Sequence, residues 1–218
     1  MNMTIHGEPD ARLVAALAHA ESSVRLRAAL SAGTLGDSRL VEILIERCAA
    51  EPDFFVRDML TWALCRLPAG VTVPRLIAEL ASETAQARSQ ALHTLSKIGD
   101  RDAWPAVSDL LHDVHDDVAL SAWRAAVVLV PAGAESALAA DLTAALGRGD
   151  QPVRLGLSRA LAALGEAATP ALDAAANHPD PRVRAHAQTT ERLRGDPDSG
   201  FEADLELAQR VSVTGSGT

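Results

Sequence analysis

The residues with the most chemistry to offer are few. His112-Asp113-Val114-His115-Asp116-Asp117 sets two imidazoles three positions apart among three carboxylates, the donor types that hold zinc. The run falls at a predicted turn between helices, where acidic caps are expected in any case, so no metal and no other cofactor is expected. Cys48 and Cys65 lie in separate predicted helices with neither a metal spacing nor a paired framework. They suit small packing positions in a protein of the reducing cytoplasm. Trp104 and Trp123 suit gaps between helices better than a cofactor. No glycine-rich phosphate loop, nucleophile elbow or zinc motif occurs. Nothing singles out a catalytic nucleophile or base, and the expectation is a protein that is not an enzyme.

The most regular chemistry belongs to arginine. Glu21-Ser-Ser-Val24-Arg25, Asp53-Phe-Phe-Val56-Arg57, Asp150-Gln-Pro-Val153-Arg154 and Asp180-Pro-Arg-Val183-Arg184 are copies of one phrase, with weaker copies ending at Ala87-Arg88 and Val118-Ala119. The anchor positions 25, 57, 88, 119, 154 and 184 are separated by 32, 31, 31, 35 and 30 residues. A period of that length holds two helices of about 12 residues and two short turns.

These phrases must start helices. Asp53, Asp150 and Asp180 stand where an N-cap should, with a carboxylate to accept from the free amides of the first turn. Pro152 and Pro181 fall in that turn, where the missing N–H costs nothing. Gly36, Gly99, Gly165 and Gly195 follow eleven residues after their anchors, as left-handed terminators would. Pro68 and Val130 take that place in units two and four. A partner helix precedes each phrase, roughly at 8–20, 38–50, 71–82, 101–113, 134–147 and 167–177. Positions −1, +3, +7 and +10 from the anchor are apolar, as in Val56, Leu60, Leu64 and Leu67 or Val153, Leu157, Leu161 and Leu164. That is one helical face, the face that packs.

The pattern resembles bacterial HEAT and HEAT-like (phycobilisome-lyase-type) repeats, whose units read like Leu164-Gly-Glu-Ala-Ala-Thr-Pro-Ala-Leu through Asp180-Pro-Arg-Val-Arg184. The resemblance covers residues 8 to 195. It implies an all-α, right-handed solenoid of about six hairpins, at 8–36, 37–69, 70–99, 100–133, 134–165 and 166–195, within a repeat domain 1–195. It also implies that the pairs Asp53 and Arg57, Asp150 and Arg154, and Asp180 and Arg184 form an internal ladder between repeats. Unit four departs most, with Ala119 in the arginine's place.

Positions +2, +5 and +9 point away from the packed side, and in a HEAT-like array they line the concave surface. The candidate partner-binding residues there are Arg27, Met59, Trp62, Arg66, Gln90, His93, Lys97, Arg124, Arg159 and His186. The +2, +5 and +9 stripe holds five basic residues and no acidic one, in a chain of net charge −9. A basic groove with Trp62 as its aromatic anchor suits a protein or acidic peptide. Residues 196–218 form an acidic linker and tail, with a short helix expected at 201–211. That helix would cap the last repeat or enter the groove as the chain's own acidic guest. The overall charge argues against broad binding of nucleic acid, the second reading, which the HEAT-like DNA-repair glycosylases suggest. A bilin-lyase-like subunit is the third. Met1–Asp10 has no basic run before an apolar core, and no stretch approaches a membrane span. A cytoplasmic, membrane-free scaffold or adaptor of bacterial type is therefore expected.

Overall fold

The computed structural model describes residues 9–196, and the predicted tail helix 201–211 lies outside them. The described residues form α1 (Ala11–Leu17), α2 (Ser22–Leu35), α3 (Val41–Ala50), α4 (Phe54–Cys65), α5 (Ala69–Glu79), α6 (Ala85–Ile98), α7 (Trp104–Ser108), α8 (Asp116–Leu129), α9 (Glu135–Thr143), α10 (Gln151–Ala163), α11 (Thr169–Ala176) and α12 (Pro181–Gly195). Short 3-10 turns lead into α3, α7 and α11, and no strand occurs among the described residues.

The arginine phrase does start the second helix of each hairpin. Asp53 Oδ1 accepts from the N–H groups of Phe55 and Val56 at 2.9 and 3.1 Å, Asp150 from Val153 and Asp180 from Arg182. Pro152 and Pro181 lie in the first turns of α10 and α12. Gly36 and Gly99 end α2 and α6 at φ 68° and 76°, a region a side chain would strain. Gly195 differs from expectation. It is the last helical residue of α12, whose cap is Asp196 in extended backbone.

The chain divides into two units, at Leu129 and Val130. In the first, α1–α2, α3–α4, α5–α6 and α7–α8 are hairpins, and α2 packs on α4, α4 on α6, and α6 on α8. In the second, α9–α10 and α11–α12 pair, with α9 against α11 and α10 against α12. The predicted core face is the buried one: Val56, Leu60 and Leu64 in α4 and Val153, Leu157 and Leu161 in α10 are all at most 7% exposed. At about 25 cal/mol per Å² of apolar surface, each such leucine stabilises its hairpin by roughly 2 kcal/mol.

Each anchor arginine turns back on its own hairpin. Arg25 donates through Nη1 to the carbonyls of His19 and Ala20, Arg57 to Glu51 and Pro52, Arg88 to Ser82 and Glu83, and Arg184 to His178 and Pro179. Arg154 reaches the Gly149 carbonyl. The carbonyls are those five and six residues upstream, which would otherwise be unsatisfied where the previous turn ends. This corrects the expected ladder. Asp53, Asp150 and Asp180 accept from helix amides, Asp180 also meeting Arg182, and the guanidiniums of Arg57, Arg154 and Arg184 donate to backbone oxygens. The buried ion pairs between repeats run instead from Arg25 to Glu51 at 2.7 Å and from Arg88 to Asp113 at 3.0 Å, and Arg75 meets Glu42 on the surface at 3.2 Å.

In unit four, where Ala119 replaces the arginine, the helix is nonetheless complete. Ala119 is fully buried, and so is Trp123, whose indole Nε1–H donates to the Leu111 carbonyl at 2.9 Å. A packed tryptophan thus brings a donor to the end of the preceding turn, though to a carbonyl eight residues before position 119 rather than five or six. Its partner α7 is short, ending at Ser108 where 101–113 had been expected.

Candidate functional site

The exposed sides of α4, α6 and α8 enclose a groove of about 560 Å³ in the first unit. Of the ten predicted partner residues, Gln90, His93 and Arg124 line it. Lys97 stands one helical turn beyond His93. Burial, and then the charge of Lys97, lowers the His93 imidazole pKa; Asp58 opposes this and Arg124 adds to it. His93 is therefore mainly neutral near pH 7, and the positive charge of the site comes from Arg57 and Arg124 on its lining and from Lys97 beyond it. Among the described residues Lys97, Arg124 and Arg27 enter no ion pair. The groove is not purely basic, however. Asp58 and Asp117 line it too, with Arg57, Gln86, Ser89 and Ser121. Asp58, one step off the stripe, is its nearest exception by sequence, while Asp117 stands two positions before its anchor, where the +2, +5 and +9 stripe does not reach.

Trp62 and Arg66 have a structural tie as well as an exposed edge. The Arg66 guanidinium lies over the Trp62 ring, 5.2 Å from its centroid, and its Nε donates to the Gly33 carbonyl at 3.1 Å. Gly33 is what lets this happen, since a Cβ there would run into the Trp62 ring and the Ala63 backbone. The indole remains 37% exposed. Arg27 is exposed on α2 and Met59 half-buried on α4. At the start of α4, Phe54, which lines the groove, meets Phe55 edge to face, and the two are 66% and 71% exposed.

Arg159 and His186 belong to the second unit. Arg159 is exposed on α10, but His186 is 5% exposed and cannot meet a partner as expected. Its Nδ1 accepts from the Gly147 N–H at 3.0 Å, while Nε2 lies 2.9 Å from the Arg154 carbonyl and 3.0 Å from Ser158 Oγ. An acceptor at Nδ1 and a carbonyl at Nε2 require the neutral ring with its proton on Nε2. Ser158 then faces a donor, so the adjacent Ser and His do not form a nucleophile and base. Ser158 Oγ passes its hydrogen bond to Thr190 Oγ1 at 2.8 Å, which donates to the His186 carbonyl. Burial is the main cause that lowers the His186 pKa, consistent with a ring held neutral.

Sequence reasoning also missed Glu51 and Asp113. Glu51 is fully buried and accepts from Arg25, Arg47 and the Asp53 N–H. Burial by itself would raise its pKa, but the hydrogen bonds from Arg25, Asp53 N–H and Arg47 prevail and bring it to about 2. A signal was present: Glu51 and Asp113 both stand six residues before their anchors, 57 and 119. Asp113 pairs with Arg88 and accepts from the His115 N–H. Among the described residues no group of three or more His, Cys, Asp or Glu side chains could hold a metal ion. No helix there is long and apolar enough to cross a membrane.

No protein-family model matches this chain, and no curated protein matches it. Among solved structures it is similar to the complex of CpcE and CpcF of phycocyanin lyase from Nostoc sp. (20% identity over 89% of this chain and 80% of that one, TM-score 0.48). It is similar also to human deoxyhypusine hydroxylase in complex with glycerol (25% identity, 84% and 72%, TM-score 0.43). A third is a designed armadillo repeat protein (17% identity, 84% and 98%, TM-score 0.42). At these values none of the likenesses bears on shape, ligand or activity.

Proposed function

We propose that this chain is a non-catalytic, cytoplasmic scaffold of the HEAT-like kind, which grips an acidic segment of a protein partner on the α4–α6–α8 face of its first unit. The observation that carries this reading is Arg124 on the lining of a groove of about 560 Å³, with Lys97 one helical turn beyond His93 and the half-open Trp62 one turn beyond Asp58, both cations being without ion pairs among the described residues. Cations that have no internal partner lose little by engaging a carboxylate, and their field draws one in. Asp58 and Asp117 add selectivity, favouring a segment that also presents a donor such as an amide or hydroxyl. The exposed Phe54–Phe55 pair extends the surface with apolar area of the type that dominates interface energies. The chain's own acidic stretch 201–211 is one segment of the required chemistry.

The experiment is affinity capture from the source cell lysate, with wild type and a Lys97→Glu/Arg124→Glu variant as baits. Both side chains are exposed, so helicity by circular dichroism should be unchanged. Charge reversal is expected to remove the main captured protein, and capture by wild type should weaken as salt rises. If both baits bring down the same proteins, the groove does not bind an acidic partner. Arg66 is left untouched because it braces Trp62 and Gly33.

A further inference from the structure

We propose that the second unit carries a separate pocket for a small organic anion, a carboxylate or phosphate on a flat apolar body, held between Arg154 and Arg182. The pocket measures about 450 Å³ and lies between α10 and α12, within the range of small-molecule sites, roughly 300–1,000 Å³. Its lining includes Gln151, Leu155, Ala185 and His186 with the two arginines, and no carboxylate. In a chain of net charge −9 that is a local inversion of sign.

Arg154 and Arg182 stand in the first turns of α10 and α12, where the helix dipole is positive. Arg154 gives one Nη1 bond to the Gly149 carbonyl and enters no ion pair among the described residues. Arg182, whose side chain is 80% exposed, meets Asp180 through Nε and Nη2, at 3.5 and 3.1 Å, which leaves its Nη1 edge for a ligand. Leu155 and Ala185 supply the apolar wall.

The floor is built rather than incidental. His186 is locked by Gly147, Arg154 and Ser158, and Ser158 by Thr190, so that the buried polar atoms satisfy one another. Such a closed network holds a single geometry, and a preorganised site saves a ligand the cost of ordering it. Gly147 adopts φ 85°, and a Cβ there would come 3.5 Å from the Arg182 Cβ and 3.7 Å from the Val183 nitrogen, so the loop before α10 lies close to the start of α12.

Titration calorimetry with phenyl phosphate, benzoate and uncharged benzyl alcohol tests the assignment. Both anions are expected to bind at one saturable site, and benzyl alcohol at least about tenfold more weakly. The tighter of the two anions identifies the head group. Arg154→Gln/Arg182→Gln should weaken the anions by about tenfold or more. Thr189→Trp, which fills the pocket from an exposed position without altering charge, should abolish binding, while Arg124→Gln in the first unit should leave it unchanged. Three results would overturn the proposal: no saturable binding of either anion, undiminished affinity in the double arginine variant or in Thr189→Trp, or loss of binding in Arg124→Gln.

Discussion

Glu51 concentrates more interactions than any side chain of the groove. Two arginines and a backbone amide converge on its fully buried carboxylate, so Glu51→Gln leaves Arg25 buried without its charge partner. Breaking a buried pair from one side costs about 3–5 kcal/mol, and a large fall in the urea midpoint is expected. The pH dependence has a definite sign. With the folded pKa drawn down to about 2 from 4.5, the contribution of Glu51 is complete above about 4.5 and is lost progressively as the pH falls towards 2. Urea midpoints followed from neutral to acid pH should drop through that window in the wild type, and Glu51→Gln should lack that part of the slope. The pair was not legible beforehand, because a single acidic residue at a helix end reads as a solvated cap. What identifies it is contact with an arginine 26 residues earlier, and such contacts depend on how the next hairpin is seated. Helix caps, by contrast, need only neighbours in sequence, and Asp53, Asp150 and Asp180 were readable for that reason.

At the level of the helices, the seam between α2 and α4 has one tight point. A Cβ on Gly33 would come 2.8 Å from the Ala63 α-carbon and closer still to the Trp62 ring. Alanine gains about 1 kcal/mol over glycine in a helix interior, but backbone cannot move aside as a flexible side chain can, and overpacking costs up to about 3 kcal/mol. Gly33→Ala is therefore expected to lower the melting temperature and to alter Trp62 fluorescence as the Arg66 stack is displaced; an unchanged midpoint and spectrum would show that the seam yields. Period and apolar spacing made the second helix of every hairpin readable to within a few residues. The first helices were harder, as α7 shows, because they are shorter and their turns are closed by tertiary groups such as Trp123. Exposure along a stripe was the least readable property. His186 fits the outward position by number, yet a polar network draws it inside.

Over the whole molecule the charge balance sets what can approach. A net charge of −9 disfavours the broad phosphate contact that nucleic-acid binding needs. Duplex DNA is expected to run unshifted with this protein in a low-salt mobility assay; retention that fades steeply with added salt would reverse that conclusion. The bonds from Arg25, Arg57, Arg88 and Arg184 to carbonyls five and six positions upstream carry a further consequence. They make the connector ahead of those helices intolerant of insertion or deletion, since a single added residue would leave the guanidinium facing the wrong oxygens. The change in anchor spacing from 31 to 35 residues between positions 88, 119 and 154 must be absorbed elsewhere in the hairpin. Length variation is thus channelled into the other turns, and those are where loops can grow and tags or grafted epitopes can be placed without unpicking the stack.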